Sequence, residues 1–257
     1  MLILEPILWS FPYEFRRLIF RVARPRHYEK LQAMREIETE NGYSFKPFVE
    51  HRCIFVHIPK CAGISISKSL FDSLAGGHKK IGTYTLIFNK REFETYFKFT
   101  FIRNPWDRVA SAFHFLKQGG MNNSDWLWSE KNLSEYLNFD HFVKCWLNRK
   151  NIQKKIHFVP QYKFVCGTES HFPKVDFIGF YENIEEDFFY VKNRLGINAN
   201  LIEANKNQDR KRNYREYYTR ATREIVENVY REDIEIFGYD FENSSLQHQI
   251  VRRDSSR

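Results

Sequence analysis

Three short runs rich in β-branched and aromatic residues punctuate the chain: CIFVHI at Cys53–Ile58, KFTFI at Lys98–Ile102 and VDFIGFY at Val175–Tyr181. Runs of this length and composition predict strands, and the first is apolar enough to be covered on both faces, as in a parallel sheet. Each run is followed by a helical pattern. In SISKSLFDSLAGG, Ile66, Leu70 and Leu74 recur four apart on one face, and Gly76 and Gly77 supply a stop. After KFTFI, Asn104 stands as a cap, Pro105 takes the first helical position and Asp107 falls where a capping-box acid belongs. ENIEEDFFYVKNRLGI opens on acids, closes on basic residues and ends at Gly196. Strands alternating with helices define an α/β protein with a mainly parallel sheet.

The intervening stretches are shorter or less regular. Residues 13 to 39 read as two helices broken at Pro25. Asn89 should start a short helix, the segment around His78 is loop or edge strand, and Gly119–Asn138 is expected as an irregular excursion over the site. FDHFVKCWLNR reads as a helix and HFVPQYKFV as a turn with a short helix or strand. Thr219 should cap one final helix with Ile225, Val229, Ile234 and Phe237 facing inward, and ENSSLQHQIVRRDSSR has the composition of a disordered tail. The pattern divides the chain into an N-terminal helical addition (1–50), one α/β domain (51–241) and the tail (242–257).

Composition narrows this only slightly. With 257 residues, 42% of them hydrophobic, the chain can bury one sizeable core, and a formal charge of +8 favours an anionic partner without choosing which. Cys53, Cys61, Cys145 and Cys166 form no CxxC pair, so neither a disulfide framework nor a zinc site is expected. The opening MLILEPILWSFPYEFRRLIF is interrupted by Glu5, Pro6, Pro12, Glu14 and two arginines, short of the roughly 18 unbroken apolar residues of a membrane span. It has the apolar-basic character of a segment that lies on a membrane surface or docks on the domain.

Chemistry concentrates at CIFVHIPKCAGISISKSLF. Lys60–Ser65 bring a cation, a glycine and a hydroxyl to the end of a strand and the start of a helix, where unpaired N–H groups and the helix dipole favour an anion. A magnesium-binding Walker loop needs GxxxxGK[ST], but here Lys60 precedes Ser65 by five residues and KFTFI ends in Arg103 instead of an acid. Nucleotide triphosphate hydrolysis with Mg²⁺ is therefore disfavoured, and no metal is expected.

HIPKCAGISI followed some forty residues later by FTFIRNPWDRVASAF resembles the paired nucleotide loops of sulfotransferases that use 3′-phosphoadenosine 5′-phosphosulfate (PAPS), in particular the carbohydrate branch that includes heparan sulfate 2-O-sulfotransferases. VPQYKFV, DFIGFYENIEEDF and YREDIEIFGYDF extend the likeness over most of residues 53–241. The resemblance implies a P-loop-like three-layer sandwich, PAPS as donor, adenosine 3′,5′-bisphosphate as product and a carbohydrate or glycosylated acceptor, with no nucleic acid as partner. It makes Lys60, Cys61, Ala62, Gly63, Ile64, Ser65 and Ile66 the loop around the 5′-phosphosulfate, and Arg103 and Ser111 the pair that holds the 3′-phosphate. Lys206, Arg210 and Arg212 resemble a late basic loop that closes over the nucleotide. Two departures stand out: Ile64 replaces the usual Thr or Ser, and Phe180-Tyr181 replace an arginine and an aromatic.

For catalysis, Lys60 is placed to neutralise the leaving phosphate. His78 matches the histidine of the 2-O-sulfotransferase branch and suits a general base, while Glu182 is the competing carboxylate. Plainer roles stand beside these: a strand-end ion pair for Arg103, a self-bonded helix hydroxyl for Ser111, an exposed basic loop for His78, a helix-start acid for Glu182 and solvated charge for the late basic loop. His57 reads as a core histidine, and His114 as helix surface or acceptor groove. A small-molecule kinase on a related core, or a glycan-binding module without turnover, are the rival functions. Animal relatives carry an N-terminal span and lumenal disulfides, so a bacterial-type cytoplasmic enzyme is expected here, with peripheral membrane attachment as the alternative. The oligomeric state is left open by the sequence.

Overall fold

The computed structural model describes residues 8–37, 43–167, 172–202 and 213–255. Its sheet has three strands in the order β1 (Cys53–Val56), β2 (Phe97–Ile102) and β3 (Phe177–Phe180), and β1 pairs with β2 in parallel, Cys53 opposite Phe97 and Val56 opposite Thr100. Together with the helices, this is the α/β class that the alternating pattern predicts. All residues of β1 and β2 are buried, which accounts for their lack of alternation. Phe55 and Phe99 stack at 4.9 Å across the pair, and Thr100 Oγ1 donates to Val56 O at 2.7 Å. Burying one such phenylalanine stabilises by roughly 2–3 kcal/mol.

The chain falls into two compact units. The first is drawn from Met1–Ile58, Ala62–Phe101 and Lys163–Ala204, the second from Pro59–Cys61, Ile102–Tyr162 and Asn205–Arg257. The first unit holds helices α1 (Tyr13–Ala23), α2 (Pro25–Ala33), α3 (Lys46–Glu50), α4 (Gly63–Phe71), α5 (Ile81–Ile87) and α6 (Lys90–Thr95), with the break at Pro25 as expected. Asn89 caps α6 in a full capping box with Glu92. The buried face of α4 contains Ile66 and Leu70, but the helix stops at Phe71, one turn before Leu74, because Asp72 adopts the left-handed cap at φ 54 that was expected of a glycine. Residues 72–80, including His78, are loop.

The second unit contains α7 (Pro105–Lys117), α8 (Asn123–Leu133) and α9 (Phe139–Cys145), and its core gathers Trp106, Phe142, Trp146, Phe158 and Tyr230. The expected excursion at Gly119–Asn138 is instead largely helix α8, because Asn122 accepts from Asp125 N and caps it, and Trp128 packs edge-on to Trp146 at 5.8 Å. Helix α10 (Tyr162–Val165) follows along the chain and leads back into the first unit, where α11 (Ile184–Leu195) ends at Gly196 with φ 67. The expected single last helix is two, α12 (Arg220–Val229) and α13 (Arg231–Phe237), interrupted at Tyr230, whose hydroxyl donates to Phe158 O at 2.7 Å. Thr219 caps the first of them. The polar tail carries helix α14 (Leu246–Ser255), with Gln249 buried and bonded to Phe237 O at 2.7 Å. Among the described residues no helix is long and apolar enough to cross a membrane.

Candidate active site

The turn after β1 is held in an unusual backbone. Lys60 has φ 70 and Ala62 has φ 58, left-handed values that L-residues adopt at a cost of roughly 1–2 kcal/mol each. Left-handed turns ahead of a helix gather successive N–H groups into an anion-binding concavity. Strain of this kind persists where surrounding contacts over-determine it, and residues Pro59–Cys61 are over-determined one by one.

In the second unit, Arg108 Nε donates to Pro59 O at 2.9 Å, Arg103 Nη1 donates to Lys60 O at 3.0 Å, and the Cys61 thiol donates to Gln161 Oε1 at 3.2 Å. Gln161, fully buried, also grips the peptide of Arg103: its Oε1 accepts from Arg103 N at 2.9 Å and its Nε2 donates to Arg103 O at 2.8 Å. Behind it, Asp233 Oδ2 accepts from Gln161 N and Oδ1 from Tyr162 N, each at 2.8 Å. Burial pushes the Asp233 carboxyl up to about 6, while those two N–H groups and the positive charge of Arg108 act in the opposite sense. Arg108 completes the support with a 2.9 Å bond from Nη2 to Val159 O.

Arg103 itself is 5% exposed. Its Nε donates to Asp107 Oδ2 at 2.7 Å and its Nη1 to Ser111 Oγ at 3.3 Å. Asp107 therefore does not close the expected capping box: Asn104 caps α7 through Trp106 N, and the acid fixes the plane of the guanidinium. The ammonium of Lys60 lies 3.7 Å from the ring centroid of Phe115, one turn along α7 from Ser111. Lys60, Arg103 and Ser111 are thus brought to one stretch of α7. Among the described residues, two cations and a hydroxyl gathered beside the Asp107 carboxylate suit a phosphate group, and a guanidinium whose plane is already fixed loses little freedom on binding one.

In the first unit, Gly63 opens α4, with Ser65 and Ile66 buried and Ile64 half-buried. A Cβ at Gly63 would stand 1.9 Å from His57 Cδ2, so glycine is required for His57 to sit where it does. His57 is buried and stacked on Phe55 at 5.5 Å, in keeping with a core histidine, yet its ring also lies 4.2 Å from that of His78. His78 Nδ1 meets His57 O at 3.1 Å. A carbonyl only accepts, so Nδ1 is the donor in this contact, and in the neutral ring that leaves Nε2 as the basic nitrogen. Glu182 is half-buried in the 3₁₀ turn Tyr181–Asn183 that follows β3. His114 is not simple helix surface: its ring packs at 4.5 Å from Tyr217 and burial lowers its pKa. Lys206, Arg210 and Arg212 lie outside the described residues.

Sequence reasoning assigned no role to Arg108, Gln161 or Asp233. The signal was available for two of them. Arg108 occupies the same helical register as buried Ala112 and Leu116, and Asp233 that of Val226, Val229 and Phe237, so each is a charge placed on an apolar stripe.

Residues 45–240 match the family model described as "Sulfotransferase family". A protein of Archaeoglobus fulgidus, described as uncharacterized, is 32% identical over 114 residues, which span 44% of this chain and 78% of that protein. No solved structure matches the chain.

Proposed function

Since the chain belongs to the sulfotransferase family, a family of sulfuryl-transferring enzymes, we propose that it uses PAPS as donor and the hydroxyl of a carbohydrate or glycosylated molecule as acceptor, in a bacterial-type cytoplasmic setting. The observation that carries this is the convergence of Lys60, Arg103 and Ser111 on one stretch of α7. The class of acceptor rests on the likeness of the two loops to the carbohydrate branch.

PAPS, when bound, supplies the sulfuryl group and a phosphate leaving group. Arg103 and Ser111 hold the 3′-phosphate, a contact that ATP cannot make. The loop from Lys60 to Ile66 surrounds the 5′-phosphosulfate with backbone N–H groups and Ser65. Ile64 adds no hydroxyl there, which leaves more of the binding to the backbone. Lys60 swings from Phe115 toward the bridging oxygen as charge develops on the leaving group. The acceptor hydroxyl attacks sulfur in line, its O–S bond forming as the bond from sulfur to the phosphate oxygen breaks, and its proton passes to His78 Nε2. The contact of His78 Nδ1 with His57 O orients the ring, and this supports His78 over Glu182 as that base. The late basic residues Lys206, Arg210 and Arg212 contribute to nucleotide closure.

Release of adenosine 3′,5′-bisphosphate from PAPS in the presence of a panel of glycans tests this assignment. His78→Ala should abolish acceptor-dependent release while binding the bisphosphate like the parent protein, and Glu182→Ala should retain turnover. Normal turnover by His78→Ala would move the base elsewhere.

A further inference from the structure

Helix α1 has two faces of opposite use. One is docked within the first unit: Tyr13 Oη donates to Phe88 O at 3.0 Å, its ring lies 5.8 Å from Phe93, and Phe20 packs edge-on to His27 and Tyr28. The other face carries Phe15, Leu18 and Val22 at spacings i, i+3, i+7, and these are 61%, 54% and 73% exposed. Phe11, also exposed, extends the row by one turn. A continuous apolar row on a helix whose opposite face is already anchored differs from scattered surface hydrophobics.

Charge identifies what covers it. Arg21, Arg24, Arg26 and Lys30 are all exposed at the end of this stripe and along α2, against Glu14 and Glu29. An open groove of about 490 Å³ between α1 and α2 is lined by Arg21, Val22, Pro25, Tyr28 and Glu29, so the last apolar residue of the stripe shares a groove with an arginine. A second copy of the chain, docked symmetrically on this face, would set these arginines against one another. An anionic lipid surface meets both features at once, with acyl chains for the stripe and phosphates for the arginines.

We propose that the α1–α2 hairpin holds the protein on anionic bilayers, with Phe15, Leu18 and Val22 at the acyl boundary and Arg21, Arg24 and Arg26 at the headgroup phosphates. This stands independently of the donor site, and it places the enzyme beside acceptors that are themselves at a membrane surface.

Co-sedimentation of the full chain with vesicles tests it, using phosphatidylcholine alone and phosphatidylcholine containing phosphatidylglycerol. Binding to the anionic vesicles should be about 100-fold tighter than to the neutral ones and should weaken steeply with salt, as three engaged arginines require. Leu18→Glu/Val22→Glu should lose binding to both vesicles with an unchanged thermal unfolding profile, since both residues are exposed. Arg21→Glu/Arg24→Glu should lose only the preference for anionic lipid, and it carries the test if the apolar variant misfolds. Equal binding to both lipids overturns the proposal, as does retention of binding by Leu18→Glu/Val22→Glu. So does absence of vesicle binding together with a dimer, seen by light scattering, that the glutamate variant dissociates.

Discussion

Replacing Gln161 with leucine probes the support of the turn proposed to bind phosphate, with little change of volume. The substitution removes the acceptor for Arg103 N–H, the donor to Arg103 C=O and the partner of the Cys61 thiol. Two buried backbone groups lose their Gln161 partner at about 1–3 kcal/mol each, so a loss of roughly 2–6 kcal/mol in unfolding free energy is expected, a large part of a typical total. Urea denaturation reads that loss directly. A purely structural role would end there, but Gln161 fixes the peptide from which the Arg103 side chain projects. Calorimetry with adenosine 3′,5′-bisphosphate, at a temperature where the variant is folded, should therefore show affinity at least about tenfold weaker, equivalent to roughly 1.4 kcal/mol. Unfolding within about 0.5 kcal/mol of the parent and unchanged bisphosphate affinity would refute the role assigned to this residue.

Other expectations rest on single features of the same framework. Asp233 has its folded pKa raised above the unfolded value, so its contribution is present in full below about pH 3.8 and is lost as pH rises through about 6. The stability difference between parent and Asp233→Asn, measured by urea unfolding at pH 4 and pH 7, should therefore shift by about 2 kcal/mol against the parent as pH rises; a difference that does not vary with pH would count against a buried protonated carboxyl. Gly63→Ala should displace the His57 ring, since the new Cβ would lie 1.9 Å from His57 Cδ2, and should lower turnover by disturbing the His57–His78 contact; a fully active alanine variant would show that this pair is not needed. Arg103→Ala should weaken bisphosphate binding far more than Ser111→Ala, because a charged, bidentate donor is lost in the first case and one hydroxyl in the second. Equal effects of the two on the titration would contradict the roles assigned to them.

Much of the fold can be read along the chain because three apolar runs and their caps are local signals. Asn89, Asn104, Thr219 and Gly196 each end or begin a helix where their chemistry requires it. The misreadings have equally physical causes. Asp72 took a left-handed cap without being glycine, and Asn122 nucleated a helix in a stretch rich in polar and aromatic residues. Tyr230 broke the last long helix to reach Phe158 O, a long-range hydrogen bond that no local pattern encodes. At the site, Lys60, Arg103 and Ser111 are recognisable because they sit on short motifs. Gln161 and Asp233 act through contacts of 58 and 72 residues' separation, and a polar residue at such a distance from the motif looks like any other until the chain is folded.

The turn after β1 and the start of α7 are proposed to bind a nucleotide phosphorylated at both its 3′ and 5′ positions. Titration calorimetry of the parent protein with adenosine 3′,5′-bisphosphate and with ATP, each with Mg²⁺ and with chelator, tests this most directly. The bisphosphate should bind tightly and with the same affinity in both conditions, and ATP only weakly. ATP binding as tight as that of the bisphosphate and dependent on Mg²⁺ would contradict a site built for the 3′-phosphate.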